Sequence, residues 1–469
     1  MVERETGRGF LVIGPAGSSS PRLEAEQPPG RREMTDLPPG GEPADGQLAF
    51  KALIAFTIVL VLAPQEFFPA LGQLRIAFVA GIVALSAHIL GRSKGSRAAR
   101  APTELKIVLT ILVWAVLCIP ASYWPGGVVI AMTDRYLKTV AIFWLLGQVV
   151  CSVQRLRALF WTIGAITVPL ALTGVKSYLS GAFVQNRVAG YVSGMTSNPN
   201  DLALTLNLFI PLTAALALTA ARPWQRTLAW GIIGLSVAGV LVTFSRGGFL
   251  TLVAEGGLLL LLLMRRRAVK AIAGLLLCAV LALVVLPSGF GTRMATILNM
   301  NADDTGSSRD RWRDTVAATQ FVVAHPIVGG GLGLGALAMN ETRGALWFQV
   351  HNTYLNYGVD LGVPGLLLFV ALVATSLRSA RRIERLSTDT VAVELPAFAS
   401  GIRVSLSGFV VAAFFHPVPY HFYFYFIAGL SVALKTIAAR QFCVSGTSAA
   451  RVRKEQTVHV RHCGHRAMG

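Results

Sequence analysis

The segment LWFQVHNTYLNYGVDLGVPG, residues 346–365, places a histidine and an asparagine directly before a long apolar stretch. An imidazole group has a pKa of about 6.5, so His351 can take a proton from a hydroxyl group near neutral pH. The alternative is structural, because the residue before a helix often caps its first amide groups. We therefore treat His351 as a candidate general base and Asn352 as a supporting residue that caps or orients.

Two arginines lie where an apolar chain rarely places them. Arg187 is in NRVAGYVSGMTSNPND, and Arg246 is in TFSRGG, which joins two apolar segments almost without a loop. Ionisable residues at such positions are costly in a membrane and are functional candidates. A guanidinium group binds phosphate through two parallel hydrogen bonds, so a lipid-linked pyrophosphate is a natural ligand. The alternative for both arginines is snorkelling to lipid headgroups. Nearby, Asn200 is predicted to support the site or simply to cap a helix.

The composition is that of a membrane protein. Of the 469 residues, 54% are hydrophobic and only 14% are charged, and the mean hydropathy is +0.59, whereas soluble domains are about a quarter charged. The net charge of +19 is concentrated in short segments between apolar runs, as in membrane proteins and unlike a nucleic-acid-binding surface. The five cysteines are scattered, so neither a disulfide framework nor a zinc site is predicted.

Apolar runs of membrane-crossing length predict about twelve transmembrane helices. The runs are 48–64, 72–90, 105–121, 135–151, 158–175, 201–219, 227–243, 248–264, 269–286, 354–377, 396–415 and 422–438. Backbone groups in lipid must be hydrogen-bonded internally, and the alternation of a membrane β-barrel is absent. The predicted fold class is therefore an all-α polytopic membrane protein.

Basic residues follow every second apolar run, which places those connections and both termini in the cytoplasm. The chain then divides into five regions. They are a disordered N-terminal tail (1–46), nine transmembrane helices (47–286), a large periplasmic loop (287–353), three further transmembrane helices (354–438) and a basic cytoplasmic tail (439–469).

The large loop contains a predicted helix in SSRDRWRDTVAATQFVVAHP. Ser308 is a plausible N-cap, and Pro326 ends the helical pattern. Arg309 and Arg313 share one face at i,i+4 spacing. The following GGGLGLG has neither the preceding strand nor the acidic residue of a dinucleotide site, so a flexible or close-packed loop is expected.

Taken in order, the motifs NRVAGYVSGMTSNPNDLA, TFSRGG, SSRDRWRDT and HNTYLNYGVDLGVPG resemble those of the O-antigen ligase/polymerase superfamily. The resemblance covers roughly residues 185–375 and is closest to the branch associated with exopolysaccharide genes. It implies a glycosyltransferase of the GT-C type in a bacterial inner membrane. Such an enzyme moves a glycan from a polyprenyl pyrophosphate carrier, on the periplasmic face, to an acceptor hydroxyl of a glycolipid, a glycan or a protein.

The resemblance also implies roles for individual residues. Arg187 and Arg246 match the arginines that hold the donor pyrophosphate, and Arg309 matches a further loop arginine. His351 matches the histidine that activates the acceptor hydroxyl. Asp360 stands where many members carry glutamate, which keeps a carboxylate but changes its reach. The resemblance requires no metal ion and no cofactor, and an inverting displacement is expected.

Two alternatives stay open. A polymerase of the same superfamily would use the same donor with a second carrier-linked glycan as acceptor. A secondary transporter or lipid flippase is favoured by Glu255, an acidic residue in the middle of an apolar run. Against transport, no inverted repeat with broken helices is recognisable. Convergence of Arg187, Arg246 and His351 in one outer cavity would favour the transferase.

The predicted topology can be tested by cysteine labelling in a variant without the five native cysteines. A membrane-impermeant reagent added from outside should label a cysteine at Asn340, in the large loop, and miss one at Ser96, in a basic connection. The opposite pattern would contradict the predicted orientation and the periplasmic location of the loop.

Overall fold

A computed structural model describes residues 44–66, 68, 70–91, 101–183, 187–190, 196, 198–265, 267–284, 289–297, 307–344, 349–386 and 393–441. The described part of the chain is helical and contains no β-strand. Most of the predicted terminal tails, 1–46 and 439–469, lies outside the described residues.

The described residues form eighteen α-helices. The first nine are α1 (Ala44–Leu62), α2 (Ala70–Gln73), α3 (Ile76–Leu90), α4 (Thr103–Cys118), α5 (Pro125–Ala131), α6 (Leu137–Val149), α7 (Val153–Leu179), α8 (Pro199–Thr219) and α9 (Pro223–Val242). Next come α10 (Arg246–Arg265), α11 (Val269–Val284), α12 (Phe290–Ala295), α13 (Ser307–Ala324), α14 (Gly335–Ala338), α15 (Asn340–Arg343), α16 (Thr353–Glu384) and α17 (Leu395–Ala412). The last is α18 (Phe422–Gln441). A π-helical turn, Met132–Tyr136, joins α5 to α6.

Nine helices of the described residues are long and apolar enough to cross a membrane, and the prediction of an all-α polytopic membrane protein is confirmed. Three of the twelve predicted runs differ. Run 48–64 and run 269–286 correspond to the shorter apolar helices Gly46–Leu62 and Val269–Leu281. Run 135–151 begins inside the π-helical turn and continues as α6, which has only 13 residues. The number twelve therefore stays a prediction.

The bundle is organised around α8. In the most apolar 18-residue stretch of α8, 89% of the residues are buried. In the corresponding stretch of Leu71–Leu90, only 6% are buried. α8 packs against α7, α9, α10 and α17. The helix at 71–90 packs against α1 and leaves most of its apolar surface exposed.

α16 is kinked at Gly362, where the glycine-rich segment of the large loop packs against it. Gly362 has φ 67° and ψ −172°, outside the helical region, and Pro364 has no amide hydrogen to donate. The kink frees three carbonyl oxygens, which would be costly to leave unpaired in a membrane. The amides of Gly330 and Gly331 donate to the carbonyls of Val359 and Asp360 at 2.7 and 2.8 Å. The indole of Trp114 donates to the carbonyl of Leu361 at 2.9 Å.

The glycine-rich segment GGGLGLG is therefore a close-packed loop on the kink. Gly329, Gly331 and Gly333 have positive φ values of 72°, 110° and 76°. A Cβ atom on Gly329 would lie 2.6 Å from the carbonyl oxygen of Val359. The loop needs glycine both for its backbone conformation and for its close approach to α16.

Replacing Gly362 by alanine tests this packing. The added Cβ would lie 2.2 Å from the carbonyl oxygen of Ile327 in a backbone conformation that favours glycine, so we expect a loss of about 1–3 kcal/mol in unfolding free energy. Thermal unfolding of the purified protein in detergent measures it. Gly256→Ala is the matched control, because Gly256 lies within α10 and a Cβ atom added there would have nothing within 4 Å. Equal stability of the two variants would contradict the proposed role of the kink.

Candidate active site

Three membrane helices begin at one place. Asn200, in the first turn of α8, accepts a hydrogen bond at 2.7 Å from the hydroxyl of Ser245, the residue before α10. The carbonyl oxygen of Asn200 lies 2.9 Å from Nε2 of His416. Thr353, the first residue of α16, donates its hydroxyl to the carbonyl of His416 at 2.6 Å. The N-terminal ends of α8, α10 and α16 therefore meet at the segment around His416.

Short side chains allow this close meeting. His416 is buried, and its Nδ1 lies 3.0 Å from the carbonyl oxygen of Ala412. A Cβ atom on Gly247 would lie 2.8 Å from Cβ of Phe415 and 3.4 Å from Cε1 of His416. The glycine after Arg246 thus lets the first turn of α10 pack directly against this segment.

The helix caps differ in part from the prediction. The N-cap of α8 is Asn198, whose side chain accepts from the amide of Asn200 at 2.8 Å, so the prediction that Asn200 is the cap is wrong. The reason is Pro199, which occupies the first helical position and makes the preceding residue the cap. Asn352 is the N-cap of α16, because its Oδ1 accepts from the amide of Leu355 at 3.1 Å. His351 precedes the cap, so its structural alternative as a capping residue is excluded.

Arg246 is the first residue of α10 and connects it to the large loop. Its Nη1 donates to the hydroxyls of Thr296 at 2.9 Å and Ser308 at 2.6 Å. Its Nη2 donates to the hydroxyl of Ser307 at 3.2 Å. Ser307 and Ser308 form the start of α13, so a fourth helix N-terminus lies at the same site. Arg246 is half-buried there, which gives its guanidinium access to the site.

His351 faces a buried carboxylate of α13. Its Nδ1 is buried and lies 3.9 Å from Oδ2 of Asp314, while the side chain as a whole is 36% exposed. Asp314 is itself buried and accepts a hydrogen bond at 2.9 Å from Nε of Arg343. Burial raises the pKa of Asp314, and the Arg343 guanidinium opposes that rise. One edge of the imidazole ring thus faces Asp314, and the side chain is partly exposed.

Burial is the largest cause that lowers the pKa of His351, and together with the positive charges of Arg311 and Arg187 it brings that pKa to about 4. The ring is therefore neutral near pH 7 and able to accept a proton. Arg187 is half-buried, and its charge acts on the ring of His351, so these two predicted residues lie in one region. Burial also lowers the pKa of His416, while its contacts with the carbonyl oxygens of Ala412 and Asn200 oppose that change.

Arg309 and Asp360 are placed differently from the other predicted residues. Arg309 is exposed on α13, and the arginine of that helix whose charge reaches His351 is Arg311. Asp360 is buried inside α16, and its Oδ2 accepts from the amide of Gly333 at 2.9 Å. This contact joins Asp360 to the glycine-rich loop.

Sequence reasoning missed three residues of this region, namely Arg311, Asp314 and His416. Arg311 and Asp314 are three residues apart, so a helical projection places them on one face, and that signal was present in the loop helix. No local pattern indicates that His416 meets α8, because the two lie 216 residues apart. Among the described residues, no group of three or more His, Cys, Asp or Glu side chains could hold a metal ion.

Residues 231–370 match the family model described as O-antigen ligase. The matched segment runs from α9 into α16 and contains Arg246, Asp314 and His351, whereas Arg187 and His416 lie outside it. A search of curated proteins finds no match to this chain.

The pKa of His351 predicts the pH dependence of any reaction in which it is the base. Only the neutral ring accepts a proton, so kcat/KM should fall on the acid side with a midpoint near pH 4, well below the usual value of about 6.5. Removing a nearby positive charge stabilises the imidazolium ion, so Arg311→Gln should move this midpoint towards neutral pH.

The matched control is Arg313→Gln, because Arg313 is exposed on the same helix and does not contribute to the pKa of His351. Its acid midpoint should equal that of the unmodified protein. An acid midpoint near pH 6.5 in all three proteins would contradict the assigned environment of His351.

Proposed function

Because this chain belongs to the O-antigen ligase superfamily, we propose that it transfers a glycan from a polyprenyl pyrophosphate carrier to an acceptor hydroxyl. The chain is a multi-pass membrane protein, and we assign the reaction to the periplasmic face of a bacterial inner membrane. The observation that carries the proposal is the neutral His351, held against buried Asp314 in a region with Arg187 and Arg246.

His351 is proposed as the general base. As the acceptor oxygen attacks the anomeric carbon, its proton passes to the imidazole ring, and the C–O bond to the pyrophosphate breaks. The ring becomes positively charged in this step, and the carboxylate of Asp314, 3.9 Å from Nδ1, stabilises the charge. Proton transfer to a positioned base contributes about 10²–10⁴-fold to a reaction rate.

Arg187 and Arg246 are proposed to bind the donor pyrophosphate, with Arg309 as a further contact. The leaving group gains negative charge as its bond to the sugar breaks, and fixed guanidinium groups stabilise that charge. The N-terminal ends of α8, α10, α13 and α16 add positive helix dipoles, each equivalent to about half an elementary charge. Ser308 and Asp314 are six residues apart on α13, which corresponds to about 9 Å along the helix axis. That spacing suits a pyrophosphate at Arg246 and an anomeric carbon near His351.

A single displacement by the acceptor inverts the anomeric centre, and we propose this stereochemistry. A retaining reaction would require a second carboxylate about 5 Å from the first, flanking the sugar. Asp314 faces the imidazole and Asp360 the glycine-rich loop, so neither supports that alternative. Arginines and helix ends supply the positive charge that a metal ion would otherwise provide, and we therefore propose a metal-independent reaction without a cofactor.

The transporter alternative relied on Glu255. This residue is buried in α10 against α17, where its Oε1 occupies the space that a side chain at Gly408 would need. Both of its carboxyl oxygens are buried without a hydrogen-bond partner among the described residues, so close packing alone does not account for an acid at this position, and Glu255 still favours the transport alternative. The choice between ligase and polymerase depends on the acceptor, and a deletion strain separates them. Full-length glycan left on its carrier indicates a ligase, and retained single units indicate a polymerase.

Variants should separate the proposed role of His351 as the base from the proposed role of Arg187 and Arg246 in donor binding. His351→Asn should reduce kcat by about 10²–10⁴-fold with donor binding unchanged. Arg187→Ala and Arg246→Ala should weaken donor binding and abolish transfer, and lysine at either position should restore little activity because it lacks the bidentate fork. Transfer of a radiolabelled glycan from its purified carrier, together with donor binding, measures both effects.

Arg313→Gln again serves as the control and should retain full activity. Near-normal turnover by His351→Asn in folded protein would refute the base assignment while leaving the pyrophosphate site intact. Full activity of both arginine-to-alanine variants would instead favour snorkelling.

A further inference from the structure

A cavity of about 910 Å³ lies between α1, α3 and α6, and none of the residues that line it belongs to α13, the helix that carries Arg311 and Asp314. Its size is near the upper end of small-molecule sites, which hold about 300–1,000 Å³. The walls are apolar along most of their length and include Phe56, Leu60, Phe78, Ile82, Ile142 and Leu145. Because nearly every residue of α3 is at least partly exposed, the cavity is a slot that a lipid chain can enter from the side.

One end of the slot is positively charged. Arg75, Arg135 and Lys138 line it together with one carboxylate, Asp134. Nζ of Lys138 lies 3.4 Å from Oδ1 of Asp134, and both side chains are exposed, so the four residues retain a net positive charge. Lys138 also lies over the Phe78 ring, 5.9 Å from its centroid, which places the charge where the apolar wall ends.

The charged end lies on the same membrane side as His351. His421 lines the slot and follows the segment that carries His416. Tyr136, next to Arg135, packs against Tyr420 with ring centroids 5.2 Å apart, and Tyr420 packs against Tyr357 of α16 at 4.7 Å. The turn at 416–421 therefore lies between the slot and the candidate active site.

Positive residues at this position need an explanation. Arginine and lysine are rare in the outward-facing connections of membrane proteins, and His351 is proposed to lie outside. None of Arg75, Arg135 and Lys138 lies on the helices that carry Arg246 and Arg311 or in the non-helical segment that contains Arg187. The slot is thus a second cationic site, with an apolar channel beside it.

We propose that this slot binds the acceptor as a phosphorylated lipid, with its hydrocarbon chain between α1, α3 and α6 and its phosphate at Arg75, Arg135 and Lys138. The proposal rests on the proposed function, because it identifies the second substrate of that reaction. Guanidinium groups bind phosphate through charge-assisted hydrogen bonds, and the apolar walls suit a lipid chain. The donor needs one phosphate site, which Arg187 and Arg246 supply, so a second site implies a second lipid. An acceptor protein would need no channel within the membrane.

Lipid selectivity provides a test that does not depend on activity. The full-length protein is reconstituted into phosphatidylcholine nanodiscs with spin-labelled phosphatidic acid or spin-labelled phosphatidylcholine, and the immobilised fraction of each is measured. The unmodified protein should prefer phosphatidic acid. The double variant Arg75→Gln/Arg135→Gln should lose roughly tenfold in that preference, as expected for lost charge-assisted hydrogen bonds, and Arg313→Gln should lose none.

A second variant blocks the channel and keeps the charges. Gly81 lines the slot, so Gly81→Phe should reduce the immobilised fraction of phosphatidic acid. Gly231→Phe is the matched control, because Gly231 of α9 has nothing within 4 Å of its Cβ position and lies away from the slot. Thermal unfolding in detergent checks that both variants fold.

Transfer kinetics connect the slot to the acceptor. Arg75→Gln/Arg135→Gln should raise the KM for a lipid-linked acceptor roughly tenfold and leave the KM for the donor unchanged. Arg187→Ala/Arg246→Ala should abolish transfer but retain the preference for phosphatidic acid, so a failure of the proposed function is distinguishable from a failure of the slot. Equal binding of the two lipids by the unmodified protein, or an unchanged acceptor KM in the slot variant, would overturn the proposal.

Discussion

The positive ends of several helices are directed into one small region, and this convergence sets the chemistry of the site. The starts of α8, α10 and α16 are joined through Asn200, Ser245 and His416, and Arg246 joins them to α13. Such a region attracts an anion and repels a cation. Burial of His351 is the largest cause that keeps its ring neutral, and the same positive field that favours a pyrophosphate also disfavours a protonated imidazole. The carboxylate of Asp314 opposes that positive field at one edge of the ring and would stabilise the protonated imidazole.

Several features were accessible from the sequence because each depends on local chemistry. Long apolar runs indicate membrane helices, since lipid leaves the backbone no other way to form hydrogen bonds. An asparagine before an apolar helix predicted the cap formed by Asn352. Pro326 predicted the end of the loop helix to within two residues, whereas the prediction that Ser308 is its N-cap is wrong, because Ser308 lies inside α13, which begins at Ser307. An apolar run alone does not separate a membrane span from a buried or interrupted helix, and the runs at α1, α6 and α11 are not among the nine spans of the described residues.

Other features depended on contacts that no local pattern contains. Arg309 and Arg311 are equally basic, and only the rotation of α13 in the folded protein decides which of them acts on His351. Asp314 and His351 are 37 positions apart in sequence, and their approach depends on the kink in α16 and on the loop packed against it. The cap of α8 moved from Asn200 to Asn198 because proline fixes the first helical position. That shift left Asn200 available for the contacts with Ser245 and His416.

The hydroxyl partners of Arg246 have a thermodynamic consequence. Thr296, Ser307 and Ser308 occupy hydrogen-bonding positions of the guanidinium group that any phosphate on Arg246 must share or replace. An anion that displaces them releases the start of α13 from α10, and an anion that joins them fixes it more firmly. In either case the free energy of anion binding and that of loop placement are coupled, and linkage requires the coupling to be equal in both directions. A ligand that repositions α13 would therefore change the affinity for the anion, even without contacting Arg246.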